Sequence, residues 1–118
     1  MSIRETIQKT VKSRPGVTER PHRFGGIQFS LGERELGHLH GDSMADLPFT
    51  RAVRDELIAA GRARPHHVLP DSGWVTYRLS SAADVPGAIA LFRLSYERAL
   101  AAQQERADRA DRHDRSPA

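Results

Sequence analysis

Two pairs of histidines are the residues of this 118-residue chain whose type and spacing are best suited to chemistry. His38 and His40 lie two positions apart in RELGHLHGD (residues 34–42), and His66 and His67 are adjacent in PHHVLPDSGW (residues 65–74). Imidazole changes its charge near neutral pH and is the commonest metal ligand in proteins. The sequence therefore predicts one site to which both pairs contribute, on one side of a small sheet.

A pocket without a metal is the favoured interpretation of these segments. Alternate residues of a strand share a face, so His38 and His40 are expected to point the same way. Trp74 offers a flat apolar surface and Asp71 an acceptor, as small-molecule sites require. The alternatives are that Trp74 is a core side chain and that Asp71-Ser72-Gly73 is only a turn. The predicted ligand-binding residues are Arg34, His38, His40, Asp42, His67, Asp71 and Trp74.

A metal-dependent enzyme is the alternative function. His38, His40 and either His66 or His67 could bind zinc, manganese or iron, with Asp42 or Asp71 as the base. Only one of the two adjacent histidines is expected to face inward in an extended chain. The favoured hypothesis needs no cofactor and no metal. Whether a reaction is catalysed stays open, because no serine lies in a GxSxG motif and neither a P-loop nor GxGxxG is present.

Composition and charge narrow the classes of partner. The chain has no cysteine, which excludes disulfides, thiolate nucleophiles and sulfur-ligated zinc. Residues 1–23 carry six basic and two acidic side chains, whereas residues 24–102 carry eight basic and nine acidic ones. The body thus lacks the basic stripe typical of nucleic-acid-binding proteins, and weak DNA binding is the third and least favoured hypothesis.

Two classes of segment are not found in the sequence. No apolar run reaches the length of a membrane span, and the first residues lack the apolar middle of a secretory signal. We therefore expect a cytoplasmic protein without a membrane partner. A small polar ligand is the expected partner, and the sequence does not indicate the oligomeric state.

The elements that must position the histidines are predicted from hydrophobic periodicity and turn residues. Helices are expected near residues 3–13, 48–60 and 85–104, with Pro48 in the first turn of the middle helix. Strands are expected over residues 27–31, 34–40 and 74–79, with residues 17–23 extended or irregular and residues 42–45 in a loop. The short connections favour an α+β fold with an antiparallel sheet of about four strands and the three helices packed on it.

The chain is expected to form one α+β domain over residues 1–102, followed by a charged, solvated tail over residues 103–118. The tail repeats acid–arginine pairs, which place Glu105 four residues before Arg109 and Asp111 four residues before Arg115. Such pairs each stabilise a helix by about 0.2–0.5 kcal/mol. No large apolar residue follows Leu100 to bury this extension.

Long motifs of the chain resemble a family of small bacterial proteins, the luciferase-domain family. They are GGIQFSLGERELGHLHGD, DLPFTRAVRDELIAAGRARPHHVLPDSGWVTYRL and DVPGAIALFRLSYERA, which together span residues 25–99. The resemblance implies membership of that family but assigns no catalytic residue. The run HHVLPDSGWVTYRL and the last motif are also similar to the C-terminal half of MmcQ/YjbR-like proteins, at Trp74, Ser95 and Tyr96. That similarity implies a compact α+β fold with an antiparallel sheet.

Overall fold

The computed structural model describes residues 1–114 and confirms the α+β fold that the sequence predicts. One sheet contains six strands in the order β1-β2-β3-β4-β6-β5, and every neighbouring pair is antiparallel. The strands are β1 Val17–His22, β2 Gly26–Leu31, β3 Arg34–His40, β4 Met44–Pro48, β5 Arg64–Pro65 and β6 Trp74–Arg78. The helices are α1 Ile3–Lys12, α2 Arg51–Ala59 and α3 Val85–Asp114.

The predicted number of strands, about four, was too low. The segment expected to be extended or irregular is β1, where Pro21 is tolerated because an edge strand has free backbone positions. The other strands that were not predicted are β4, which begins within the predicted loop, and the two-residue strand β5. Pro48 ends β4 and does not begin a helix; the cap of α2 is Thr50, whose side chain accepts a hydrogen bond from the Val53 N–H at 3.2 Å.

The hydrophobic core lies between one face of the sheet and helices α1 and α3. Ile7 of α1 and Phe92 of α3 are fully buried against sheet residues such as Phe29, whose ring meets that of Phe92 edge-on at 5.5 Å. The other face of the sheet carries a row of polar side chains that oppose one another strand by strand: Arg20, Gln28, His38, Asp46, Thr76 and Arg64. The packing of α1 and α3 on a single face therefore leaves the polar row free to form a site.

A β-bulge in β3 sets which side chains join that row. Phe29 pairs with Gly37 and Ser30 with Glu35, so Leu36 is an extra residue. The bulge turns Leu36 into the core, where it is fully buried, and puts Glu35 on the polar face with His38. Gly37 has φ +149°, and a Cβ there would lie 2.8 Å from the Asp46 carbonyl oxygen, so glycine is required for this close approach.

Helix α3 continues beyond the core to Asp114, and residues 103–114 are exposed. The expected pair of Glu105 and Arg109 is present at 2.6 Å, whereas Arg115 lies outside the described residues. The division into a domain over residues 1–102 and a tail over residues 103–118 stays a prediction. Among the helices of residues 1–114, none is both apolar and long enough to cross a bilayer.

Candidate ligand-binding site

Five of the six histidines gather on the polar face of the sheet, around one carboxylate. Strand β1 contributes His22, β3 contributes His38 and His40, and the chain after β5 contributes the adjacent pair His66 and His67. The carboxylate is Asp46 of β4, which is only 1% exposed. Its Oδ2 atom lies 2.9, 3.0, 3.4 and 3.5 Å from the Nε2 atoms of His40, His67, His38 and His66, respectively.

Strand register brings these groups together. His38 of β3 pairs with Asp46 of β4, which pairs in turn with Thr76 of β6. The Thr76 hydroxyl donates a hydrogen bond to Asp46 Oδ1 at 2.6 Å. Burial alone raises the pKa of Asp46, but hydrogen bonds from His38, Thr76 and His67 outweigh it and hold that pKa well below its usual range. Asp46 is therefore ionised at neutral pH despite its burial.

His38 is held on three sides. Its Nδ1 lies 2.8 Å from Glu35 Oε2, its ring stacks on that of His22 at 4.1 Å, and Trp74 lies 5.5 Å away between ring centres. Burial lowers the pKa of His38, but the hydrogen bonds to Asp46 and Glu35 outweigh it and raise that pKa to about 9. The raised pKa favours the imidazolium form of His38 at neutral pH.

His66 is in a different protonation state. Its Nδ1 accepts hydrogen bonds from the backbone N–H groups of Val68 and Leu69, at 3.1 and 3.0 Å. Burial lowers its pKa, which favours the neutral ring. A neutral imidazole that accepts at Nδ1 must carry its proton on Nε2, the atom that faces Asp46.

Helix α2 fixes the loop that carries the second histidine pair. The Arg54 guanidinium donates hydrogen bonds to the carbonyl oxygens of Pro70 and Ser72 at 3.1 and 2.8 Å. The Ser72 hydroxyl donates to the Leu69 carbonyl at 2.7 Å and accepts from the Trp74 N–H at 3.1 Å. Residues 66–73 are thereby tied both to α2 and to the first residue of β6.

A cavity of about 430 Å³ opens above the cluster. Its floor is formed by Asp46 and the imidazoles, and its rim by Phe24, Val68, Leu69 and Trp74. Phe24 is 99% exposed and has φ +57°, the one positive φ of a non-glycine residue in the described part of the chain. The left-handed conformation costs a non-glycine residue roughly 1–2 kcal/mol. Strain at an exposed aromatic side chain is a feature of functional surfaces.

The predicted site residues divide into two groups. His38, His40, His67 and Trp74 line the cavity, whereas Arg34, Asp42 and Asp71 do not. Arg34 lies beside Gln103 and Arg106 at the opposite end of β3, and Asp71 lies in an exposed loop. Asp42 accepts a hydrogen bond from the Arg4 N–H at 2.7 Å and so joins the start of α1 to the sheet.

The site also contains residues that sequence reasoning did not assign to it. These are His22, Arg23, Phe24, Asp46, Val68 and Leu69, together with His66 at the same time as His67. Both adjacent histidines reach Asp46 because the chain bends at His67 and Val68, so the expectation that one alone faces inward was wrong. The usable signal for Asp46 was the alternation of Ala45 and Leu47 around it, which is typical of a half-buried strand.

Two overlapping groups in the described residues have the spacing of metal ligands. His38, His40 and Asp46 form one, and Asp46, His66 and His67 the other, with the ligating atoms of each group within 4.8 Å of one another. Imidazole and carboxylate donors without sulfur suit zinc, iron, manganese or cobalt. The same groups, in the absence of an ion, form a hydrogen-bonded polar floor.

Comparison with known proteins gives one match. The model of the luciferase domain family matches residues 33–95, a range that includes β3, β4, the second histidine pair and Trp74 but not His22 or Phe24. No curated protein and no solved structure shows significant similarity. The matched range covers more than half of the sequence. The chain therefore belongs to the luciferase domain family.

Proposed function

We propose that the chain binds a small molecule in the cavity above Asp46. The observation that carries the proposal is the meeting of exposed apolar side chains with a buried polar cluster. Among the described residues, five large hydrophobic side chains are exposed, and three of them border this cavity. These three are Phe24, Val68 and Leu69, with exposures of 99%, 68% and 51%.

The dimensions and chemistry of the cavity agree with this role. Its volume of about 430 Å³ falls within the roughly 300–1,000 Å³ of small-molecule sites. Such sites combine an apolar lining with a few polar groups that orient the ligand. Exposed apolar surface is unfavourable in water, and Phe24 also has a strained backbone, so a ligand that covers this rim gains free energy on binding.

The distribution of polar and apolar groups indicates the class of ligand. A planar apolar body would pack along Trp74 and Leu69, beneath the ring of Phe24. A polar group of the same molecule would meet the partly exposed edges of His40 and His67. An aromatic molecule with a carboxylate, hydroxyl or carbonyl oxygen has both features.

A fragment screen with NMR detection tests the proposal. Aromatic carboxylates and phenols would be titrated into the ¹⁵N-labelled full chain, with fluorescence from Trp74, the only tryptophan, as a second signal. We expect shifts that cluster on residues 22–24, 38–40 and 66–74. The Phe24→Ala variant should weaken the best fragments about fivefold, the equivalent of about 1 kcal/mol of lost apolar contact.

Leu100→Ala is the matched control, because Leu100 is an exposed apolar residue on α3 away from the cavity. Its affinity for the same fragments should equal that of the parent protein. Fragments that shift resonances evenly over the surface, or that bind Phe24→Ala as tightly as the parent, would show that the rim is not a binding site.

A further inference from the structure

We infer that the floor of the cavity binds one divalent first-row transition metal ion, with His38, His40 and Asp46 as its ligands. The inference deepens the proposed function and rests on it in one respect. The small molecule proposed above would contact the ion from the open side of the site. The metal site concerns different atoms from those of the apolar rim. The two ideas can therefore fail separately.

The crowding around Asp46 Oδ2 is the first observation. Four imidazole Nε2 atoms lie within 3.5 Å of this one oxygen, while the other carboxylate oxygen accepts from Thr76. A carboxylate oxygen has two lone-pair positions. Four donors exceed that number, so hydrogen bonding to Oδ2 does not by itself account for the convergence of the rings.

The spacing of the donors is the second observation. Transition metals bind imidazole nitrogen and carboxylate oxygen at about 2.0–2.2 Å, which places neighbouring ligand atoms roughly 3.0–3.5 Å apart. His38, His40 and Asp46 form one of the two groups with metal-ligand spacing, and within it Asp46 Oδ2 lies 2.9 and 3.4 Å from the Nε2 atoms of His40 and His38. These are the separations of neighbouring positions in one coordination sphere.

The third observation is a set of outer contacts that orient the ligands. Glu35 accepts from Nδ1 of His38, so the ring keeps its Nδ1 proton and a bound metal would displace the proton on Nε2. Thr76 donates to Asp46 Oδ1 and leaves Oδ2 directed at the cluster. Carboxylate–histidine–metal contacts of this kind fix the tautomer and the direction of a ligand. The β-bulge therefore positions Glu35 on the polar face, where it orients the ring of His38.

His66 is excluded from the ligand set by its own hydrogen bonds. Its Nδ1 accepts from two backbone N–H groups, so its Nε2 carries the proton and has no lone pair for a metal. At 3.5 Å from Asp46 Oδ2, it donates towards the carboxylate. His66 is thus not a ligand. Its exclusion leaves only Asp46 and His67 in the second group, so His38, His40 and Asp46 form the ligand set.

Metal titration of the full chain, made without a histidine tag and freed of metal with a chelator, tests the inference. Zn²⁺, Co²⁺ and Mn²⁺ would each be titrated by calorimetry, and Co²⁺ also by visible absorption. We expect one ion per chain, with a dissociation constant below about 1 µM for Zn²⁺. His40→Ala, which removes a partly exposed ligand side chain, should weaken Zn²⁺ binding at least about 100-fold and change the Co²⁺ spectrum.

Two control variants separate a specific site from general histidine binding. His113→Ala removes the one histidine outside the cluster and should leave binding unchanged. His66→Gln should keep one ion per chain and the parent Co²⁺ spectrum, and circular dichroism would check the fold of every variant. Absence of one-to-one binding for all three ions, or unchanged binding in His40→Ala, would overturn the metal site. Loss of the Co²⁺ spectrum in His66→Gln would overturn the ligand assignment.

Phe24→Ala distinguishes this inference from the proposed function. The ring of Phe24 lies at the rim, so this variant should bind Zn²⁺ like the parent and lose only fragment affinity. Fragment binding without metal binding would support the small-molecule pocket and contradict the metal site. Metal binding without fragment binding would support the metal site and contradict the small-molecule pocket.

Discussion

Asp46 is almost completely buried, yet it is surrounded by four imidazoles and the Thr76 hydroxyl. A carboxylate in this position is stabilised only by its polar partners, because burial of an unpaired charge costs several kcal/mol. The same carboxylate gives the imidazolium of His38 a partner of opposite charge. Charge at this one residue therefore affects the stability of the fold as well as the chemistry of the cavity.

Asp46→Asn tests this coupling, since the change keeps the size of the side chain and removes its charge. In metal-free buffer at pH 6, we expect the free energy of unfolding to fall by roughly 2 kcal/mol, the usual contribution of charged hydrogen bonds. The folded pKa of Asp46 is depressed, so its contribution is present above its ordinary pKa of 3.8 and is lost as acid protonates it. The difference between variant and parent should therefore narrow below about pH 4.

Urea denaturation at pH 6 and pH 3 measures both effects. Asp71→Asn, the same change in an exposed loop, is the control and should alter stability by no more than about 0.5 kcal/mol. A variant at position 46 as stable as the parent at pH 6 would mean that the imidazoles do not depend on the charge of Asp46.

Asp46 also shows where residue-level prediction stopped. Four cavity-lining residues could be selected by type and spacing, because histidine pairs and a lone tryptophan stand out in any sequence. They are His38, His40, His67 and Trp74. Asp46 was not selected, because Pro48 was interpreted as the first turn of a helix and no strand was therefore predicted around Asp46. Thr50 is the better helix cap, and it would have released residues 44–48 to form a strand.

At the scale of elements, the site depends on how α2 holds the loop over residues 66–73. Arg54 makes both contacts through one guanidinium, to the Pro70 and Ser72 carbonyl oxygens. A lysine presents a single compact charge and lacks the planar fork that binds two acceptors in fixed directions. The position of His66 and His67 is therefore set by a residue of α2 that does not contact the cavity.

Arg54→Lys should loosen this loop without disturbing the core. We expect a loss of about 1 kcal/mol in the free energy of unfolding, from the weakened hydrogen bonds. Amide exchange at Ser72 and Trp74 should become faster, while exchange in β3 should stay unchanged. Arg62→Lys, a change at an exposed residue just beyond the end of the same helix, is the control. Equal exchange rates in the Arg54 variant and the parent would mean that the loop is held by other contacts.

The elements themselves were predictable where periodicity was strong. The spacing of Ile7 and Val11 predicted α1, that of Phe92 and Tyr96 predicted α3, and alternation predicted β2, β3 and β6. The edge strand β1 contains a proline, and β5 has only two residues, so neither carries a clear period of two. The β-bulge at Leu36 could not be predicted either, because it depends on pairing between strands.

At the scale of the whole molecule, the apolar core that stabilises the fold and the candidate site lie on opposite faces of one sheet. The face with α1 and α3 carries the apolar core, and the other face carries the row from Arg20 to Arg64. The convergence of the histidines follows from this arrangement and from register across the sheet, which local sequence does not encode. Variants of the cavity rim can therefore change binding without loss of the core.

The same division predicts the outcome of shortening α3. A chain that ends after Ala102 loses only exposed residues among those described, so its free energy of unfolding should stay within about 0.5 kcal/mol of the parent. Its cavity should be unchanged, because none of the described residues beyond Trp74 lines it. Urea denaturation and the fragment titration on Trp74 fluorescence would measure both quantities.

A chain that ends after Ser95 is the matched control, since it also shortens α3 but removes buried residues. It lacks the buried residues Ala99 and Tyr96, and with Tyr96 the hydrogen bond that its hydroxyl donates to the Pro15 carbonyl oxygen at 2.6 Å, just after α1. Truncation of a buried aromatic side chain costs about 3–5 kcal/mol, which is much of the stability of a small domain. We therefore expect the shorter chain to unfold and to lose the cavity. If ending the chain after Ala102 also cost several kcal/mol, the exposed end of α3 would belong to the domain and not to a solvated tail.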